Sequence, residues 1–127
     1  MDDISEILLN QRIRNRIIEV LQIYASLDNQ KIFGSSEVVN LWDDWVDVER
    51  LKNYTEPVFS SHEQRGISEF HKNWMQICDN TPDEMPNIDE LMINQEWLQL
   101  VNSAKEALTI LMIRGVLSED KEITSPL

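Results

Sequence analysis

The chain has 127 residues, a single cysteine, and 23 Asp and Glu against 11 Lys and Arg, for a formal net charge of −12. That length suits one ordinary domain able to bury a sizeable core without a disulfide, and Cys78 alone cannot form one internally. The acidity repels nucleic acid and anionic lipid, no apolar run approaches a membrane span, and Met1-Asp2-Asp3 has the wrong charge for a signal peptide; the expected location is cytoplasmic.

The charge is unevenly spread. Residues 1–33 carry four bases and five acids, so nearly all the excess lies after Gly34. A negative field of this kind speeds encounter with a basic protein, although it also serves plain solubility.

In chain order, Ile4, Ile7, Leu8, Ile13, Ile17, Val20, Leu21, Tyr24 and Leu27 recur at helical spacing and predict a first helix over 4–28. Arg12, Arg14 and Arg16 alternate along it, and they suit carboxylates from another helix or from a partner. Asp28-Asn29-Gln30 breaks the pattern, and Gly34-Ser35-Ser36 supplies turn and cap chemistry for a second helix over 36–52.

That second helix contains the most distinctive segment, Leu41-Trp42-Asp43-Asp44-Trp45-Val46-Asp47-Val48-Glu49. Val38, Leu41, Trp42, Trp45 and Val48 form a core stripe, while Asp43, Asp44 and Asp47 are spaced to share the opposite side. From Glu37 to Glu49 there are five acids and no base. Such a face is mildly unfavourable alone and becomes favourable opposite a basic partner. Trp42 or Trp45 bordering it gives the aromatic-plus-carboxylate make-up of an interface hot spot.

Asn53–Pro57 reads as a loop, after which Ser60 with Glu63 and Ser61 with Gln64 form two overlapping capping boxes for a helix through Ile67, Phe70, His71, Trp74, Ile77 and Cys78. Gly66 within it marks close packing. His71 sits on the apolar stripe as a core histidine, and Cys78 reads as a small buried hydrophobe. The segment Asp79–Glu96 holds six acids and no base, with Asp83, Glu84, Asp89 and Glu90 as a second acidic patch. Asn87 starts a short helix through Ile88, Leu91 and Met92, and either Asn94 caps the helix that follows or the two run together.

Trp97–Arg114 is apolar nearly all round in its last two turns, which predicts a central helix covered on several sides and closed by Gly115 as a left-handed C′ residue. The expectation is an all-α bundle of four to five helices around this C-terminal helix, forming one domain over 1–117 with a frayed tail over 118–127.

No catalytic or cofactor motif is present. Glycines at 34, 66 and 115 cannot build a phosphate loop, no Glu-x-x-His or His-x-x-x-His pairs with the carboxylates, and no enzyme activity, metal or cofactor is expected. In profile the chain resembles bacterial immunity proteins, such as those of nuclease colicins and of contact-dependent or type VI toxin systems. The residues carrying the likeness are Glu37, Asp43, Asp44, Trp45, Asp47 and Glu49, with Asp79–Glu96 as a second candidate. The resemblance implies stoichiometric binding and neutralisation of a basic toxin domain, with no role for nucleic acid or membrane and a monomeric or homodimeric state. Two alternatives stay open: a structural or homodimeric helical subunit, and a metal- or ligand-binding protein, which requires a pocket ringed by His71 and facing carboxylates.

Overall fold

A computed structural model describes residues 5–80, 88–91 and 93–123. Among them are seven helices and no strand: α1 (Glu6–Tyr24), α2 (Leu27–Phe33), α3 (Ser35–Asp43), α4 (Val48–Leu51), α5 (Ser61–Asp79), α6 (Ile88–Leu91) and α7 (Gln95–Leu111). The protein is an all-α bundle in which α7 packs along both α5 and α1.

The helix count exceeds four to five because both early helices divide. α1 stops at Tyr24, and the Ser26 hydroxyl then accepts from the Asn29 N–H to open α2. The polar run Asp28-Asn29-Gln30 is therefore inside a helix, with Gln30 as a bridge: its Nε2 donates to the Tyr24 carbonyl at 2.8 Å, and its Oε1 accepts from the Trp97 indole at 2.9 Å. The helix expected over 36–52 breaks after Asp43. Asp47 is extended (φ −149°) and caps α4 by accepting from the Arg50 N–H at 2.7 Å, a local bond that competes with continued helix.

α5 begins at the first of the two capping boxes, with Ser60 and Glu63 exchanging side-chain-to-backbone bonds, while the Gln64 amide turns to the Phe59 carbonyl. Gly66 meets α7: a Cβ there would lie 3.4 Å from the Ala107 Cα and from Ile110 Cδ1. Asn94 caps α7 by accepting from the Trp97 N–H at 3.1 Å. The core holds Ile17, Ile18, Leu21, Tyr24, Trp42, Phe70, Trp97, Leu100 and Leu111, with Phe70 edge-on to both Tyr24 and Trp42.

α7 ends at Leu111, earlier than Arg114, and its apolar C-terminal turn is not covered all round: Ile113 is 81% exposed and Met112 is exposed too. Gly115 takes the left-handed conformation at φ 78°. The chain then runs back across α1. Gln11 Nε2 donates to the Ser118 and Lys121 carbonyls and its Oε1 accepts from the Ile123 N–H, while the Asn15 amide exchanges both bonds with the Leu117 backbone. Residues 118–123 of the segment expected to fray are thus hydrogen-bonded to α1, and 124–127 lie outside the described residues.

Where this tail crosses α1 the fold places a buried charge cluster. Arg14, fully buried, forks onto both Glu63 oxygens at 2.8 and 3.0 Å and also donates to the carbonyls of Val58, Leu111 and Gly115. Arg114 reaches the same carboxylate and the Pro57 and Val58 carbonyls. Burial alone would raise the Glu63 pKa, but hydrogen bonds from Arg114, Arg14 and the Ser60 N–H, with the Arg14 charge, hold it down at about 2. Arg14 is therefore a structural residue that joins α1, the 57–58 loop, α5 and the end of α7. Arg16 pairs with Glu19 and Glu119 within the chain as well.

Candidate functional site: the acidic corner between α3 and α4

The break after α3 builds a corner. Val46 N–H bonds back to the Trp42 carbonyl at 3.0 Å and its side chain is fully buried, pinning the turn to the core. On the outside, the Arg50 guanidinium donates to the Asp44 carbonyl and pairs with the Asp47 carboxylate at 3.3 Å. The Tyr54 hydroxyl donates to the Trp45 carbonyl, and burial pushes its pKa up to about 12. A sequence of small helix-breaking and helix-capping decisions thus fixes where the acids stand.

The six expected site residues fall into three positions. Asp43, Asp47 and Glu49 line one cleft of about 320 Å³, facing His71, Trp74 and Met75 of α5. They meet through the turn rather than along a single helix face, so the shared i,i+3 and i,i+4 side expected for Asp43, Asp44 and Asp47 does not exist. Asp44 is exposed at the α3 C-cap, and Trp45 is partly buried against the core, so both flank the cleft without lining it. Glu37 is exposed in the first turn of α3, six residues before Asp43 and so about 9 Å away along the axis.

The corner is less acidic than the sequence run suggests. Arg50 neutralises Asp47 in part, and Lys52 lies 3.4 Å from Glu49, both as exposed i,i+3 pairs of small energy. Asp43 and Asp44 have no ion-pair partner among the described residues. In the second acidic segment, Asp89 and Glu90 are exposed on α6, whereas Asp83 and Glu84 lie outside the described residues.

His71 is the residue whose full role spacing did not reveal. It is a core histidine, only 6% exposed, whose ring stacks on Trp74 and whose Nδ1 accepts from the Trp42 indole at 3.1 Å. A neutral imidazole that accepts at Nδ1 carries its proton on Nε2. Burial lowers the His71 pKa, with Asp47 and Asp43 pulling the other way, so the neutral ring is favoured. The signal was in the chain: His71, Trp74 and Met75 recur at i, i+3 and i+4 on α5. What sequence lacked was the facing turn.

Other features bear on chemistry. Burial raises the Cys78 thiol pKa, and Asp79 and Asp43 raise it further, which disfavours a reactive thiolate. Trp42 and Trp97 are fully buried and Trp74 nearly so, leaving Trp45 as the tryptophan partly open to solvent. Among the described residues no group of three His, Cys, Asp or Glu could hold a metal ion, and no helix is long and apolar enough to cross a membrane. The chain matches no family model, no curated protein and no solved structure, so its fold and this corner are read from its own residues.

Proposed function

We propose that this protein is an acidic helical binding module whose α3–α4 corner engages a basic protein partner, and that it acts in the cytoplasm as an immunity-type inhibitor that neutralises a cognate toxin by stoichiometric binding. The observation that carries this reading is the pair Asp43 and Asp44, exposed carboxylates without ion-pair partners among the described residues, beside a preformed cleft, in a chain of net charge −12. The buried Arg14 is already committed to Glu63 and to backbone carbonyls, whereas these acids have no such partner among the described residues. Unpaired acids at a rim steer a basic partner and raise its association rate, and charge-assisted bonds then form as the interface desolvates. Trp45, part-open next to them, supplies the aromatic area typical of an anchor.

The test is capture of partners from native cell extract by the tagged protein at low and high salt, with bound chains identified by mass spectrometry. The expected result is a stoichiometric basic protein released at high salt, captured poorly by the Asp43→Lys, Asp44→Lys variant. Capture of only a second copy of this chain, or capture indifferent to both salt and charge reversal, would overturn the proposal in favour of a structural subunit.

A further inference from the structure

Beyond Gly115 the chain lies along α1 through contacts that read main chain more than side chains. Six hydrogen bonds join α1 side chains to the backbone of residues 117–123. The Gln11 amide donates to the Ser118 and Lys121 carbonyls and accepts from the Ile123 N–H, the Asn15 amide exchanges two bonds with Leu117, and Arg12 Nε donates to the Glu119 carbonyl at 2.9 Å. Two more, from Asn15 and Arg16, hold the Glu119 carboxylate. Gln11 and Asn15 are buried, and among the described residues their amides bond to this segment alone.

This interface differs from the packed core between the helices. The apolar residues of the segment are Leu117 and Ile123 alone, both partly buried. Lifting it exposes amides and guanidinium groups that water satisfies, so it separates at far lower cost than a helix would. It also leaves as one piece, because the Ser118 hydroxyl accepts from the Asp120 and Lys121 N–H groups within it. What stays behind is pinned: Arg14 grips the Gly115 carbonyl, so the pivot is Val116.

A second, independent observation lies at that pivot. Met112, Ile113 and Val116 are 47%, 81% and 62% exposed. Three large apolar side chains within five residues face water at the point where the segment departs, and exposed apolar groups so gathered mark contact with another surface.

We infer that residues 117–123 are exchanged between two copies of this chain, each laying its segment into the α1 groove of the other, with Met112, Ile113 and Val116 of both copies meeting where the connections cross. The segment itself is the occupant that the groove fits, and a second copy supplies it with every bond reproduced. A single pivoting residue spans at most about 3.6 Å, so exchange draws the two 112–116 stretches together and the same event covers the apolar patch. That burial is absent from the closed monomer, and it offsets the freedom lost on association. Asp43 and Asp44 take no part, so the exchange stands or falls separately from the proposed function.

The test uses full-length variants at the part-exposed Arg16–Glu119 pair, whose loss costs the fold little. Arg16→Glu and Glu119→Arg each bring like charges together, both in their own closed chains and in their own dimers. Mixed, they match only by exchange: the groove of the Arg16→Glu chain receives the segment of the Glu119→Arg chain, and the other groove receives an unaltered Glu119. Native mass spectrometry of the equimolar mixture should show the heterodimer exceeding either homodimer roughly tenfold, since both of its pairs are matched. Light scattering on the unsubstituted chain should show the mass rising from one chain toward two with concentration. Ile113→Asp, at a position exposed in the monomer, should abolish that rise without lowering the unfolding midpoint. A chain that stays monomeric up to millimolar concentration overturns the exchange, and if it still captures a basic protein the proposed function survives alone. A dimer whose variant mixture gives heterodimer and homodimers in statistical proportion also overturns it, because both segments have then stayed in their own grooves. A dimer indifferent to Ile113→Asp overturns the crossing at residues 112–116.

Discussion

Two clusters in this molecule place acids next to arginines, and they behave in opposite ways. At the junction of α1, α5 and the end of α7, one carboxylate, Glu63, receives two guanidinium groups while Arg14 spends its remaining donors on backbone carbonyls; Arg14 and Glu63 are buried, and Arg114 closes the cluster from a part-exposed position. At the α3–α4 corner four carboxylates gather around two bases, Arg50 and Lys52, which reach only Asp47 and Glu49. In the first, the buried Arg14 and Glu63 are fully engaged within the chain. The second has excess charge, and behind it sits a histidine N–H without a hydrogen-bond partner among the described residues. The difference shows that a count of acids and bases says little about availability: what separates structural from partner-directed charge is whether the surrounding backbone consumes the donors.

Breaking the saturated cluster should have the largest effect. Glu63→Gln leaves Arg14 buried without its counter-charge and weakens the α5 capping box, so a loss of about 3–5 kcal/mol is expected in urea unfolding, enough to unfold a marginal domain. Replacing Arg14 with Met together with Glu63→Leu should cost less than Glu63→Gln alone, because no fully buried charge is then left unpaired, and Arg114, about a third exposed, can be solvated when it loses Glu63. If the single and double variants were equally unstable, packing rather than charge would dominate at this junction.

The same cluster sets the acid limb of stability. Glu63 has its pKa held at about 2 against 4.5 when free, so the carboxylate form is favoured by folding: its contribution, on the order of 3 kcal/mol, is fully present above pH 4.5 and lost as pH falls toward 2. His71 acts in the same direction at milder pH. Its folded-state pKa is lowered below 6.5, the folded chain binds fewer protons there than the unfolded one, and stability should begin to decline as pH drops below 6.5. In the Trp42→Phe variant, where nothing donates to Nδ1, that first decline should shrink; a pH profile of the unfolding midpoint checks both limbs.

At the corner the effects on stability should be small, which sharpens the contrast. Asp47→Ala removes the α4 cap and should cost about 1 kcal/mol, whereas Asp47→Asn should cost only a few tenths. Asp43→Asn and Asp44→Asn should shift stability by less than about 0.5 kcal/mol while lowering partner affinity, since neither carboxylate has an ion-pair partner to lose among the described residues. Reversing all three to Lys is for this reason a poor probe of binding alone. Its readout would mix a lost cap with a lost interface.

Several features were legible in the chain. The Ser60 and Glu63 capping box, the Asn94 cap, the left-handed Gly115 and the close approach at Gly66 rest on interactions within a few residues or on a missing side chain, and these carry a local signal. Helical periodicity likewise marked α1, α5 and α7 and the burial of Trp42, Trp74 and Trp97. The split of the second helix was harder to read. Leu41–Glu49 satisfies an amphipathic pattern throughout, and only the choice of Asp47 as a cap, favoured once Val46 is buried and Tyr54 grips the Trp45 carbonyl, ends α3 where it does.

The sequence by itself determined an all-helical chain, the faces its long helices would bury, and a surplus of acid confined to its later three quarters, because periodicity, caps and charge are properties of neighbouring residues. Tertiary structure alone decided which charges are spent. Arg14 and Glu63 are 49 residues apart, His71 and Trp42 are 29 apart, and Gln11 meets Ser118 across 107. Whether a side chain at such a separation finds a partner depends on how the helices cross and where the turns fall, and no local pattern in the chain records that.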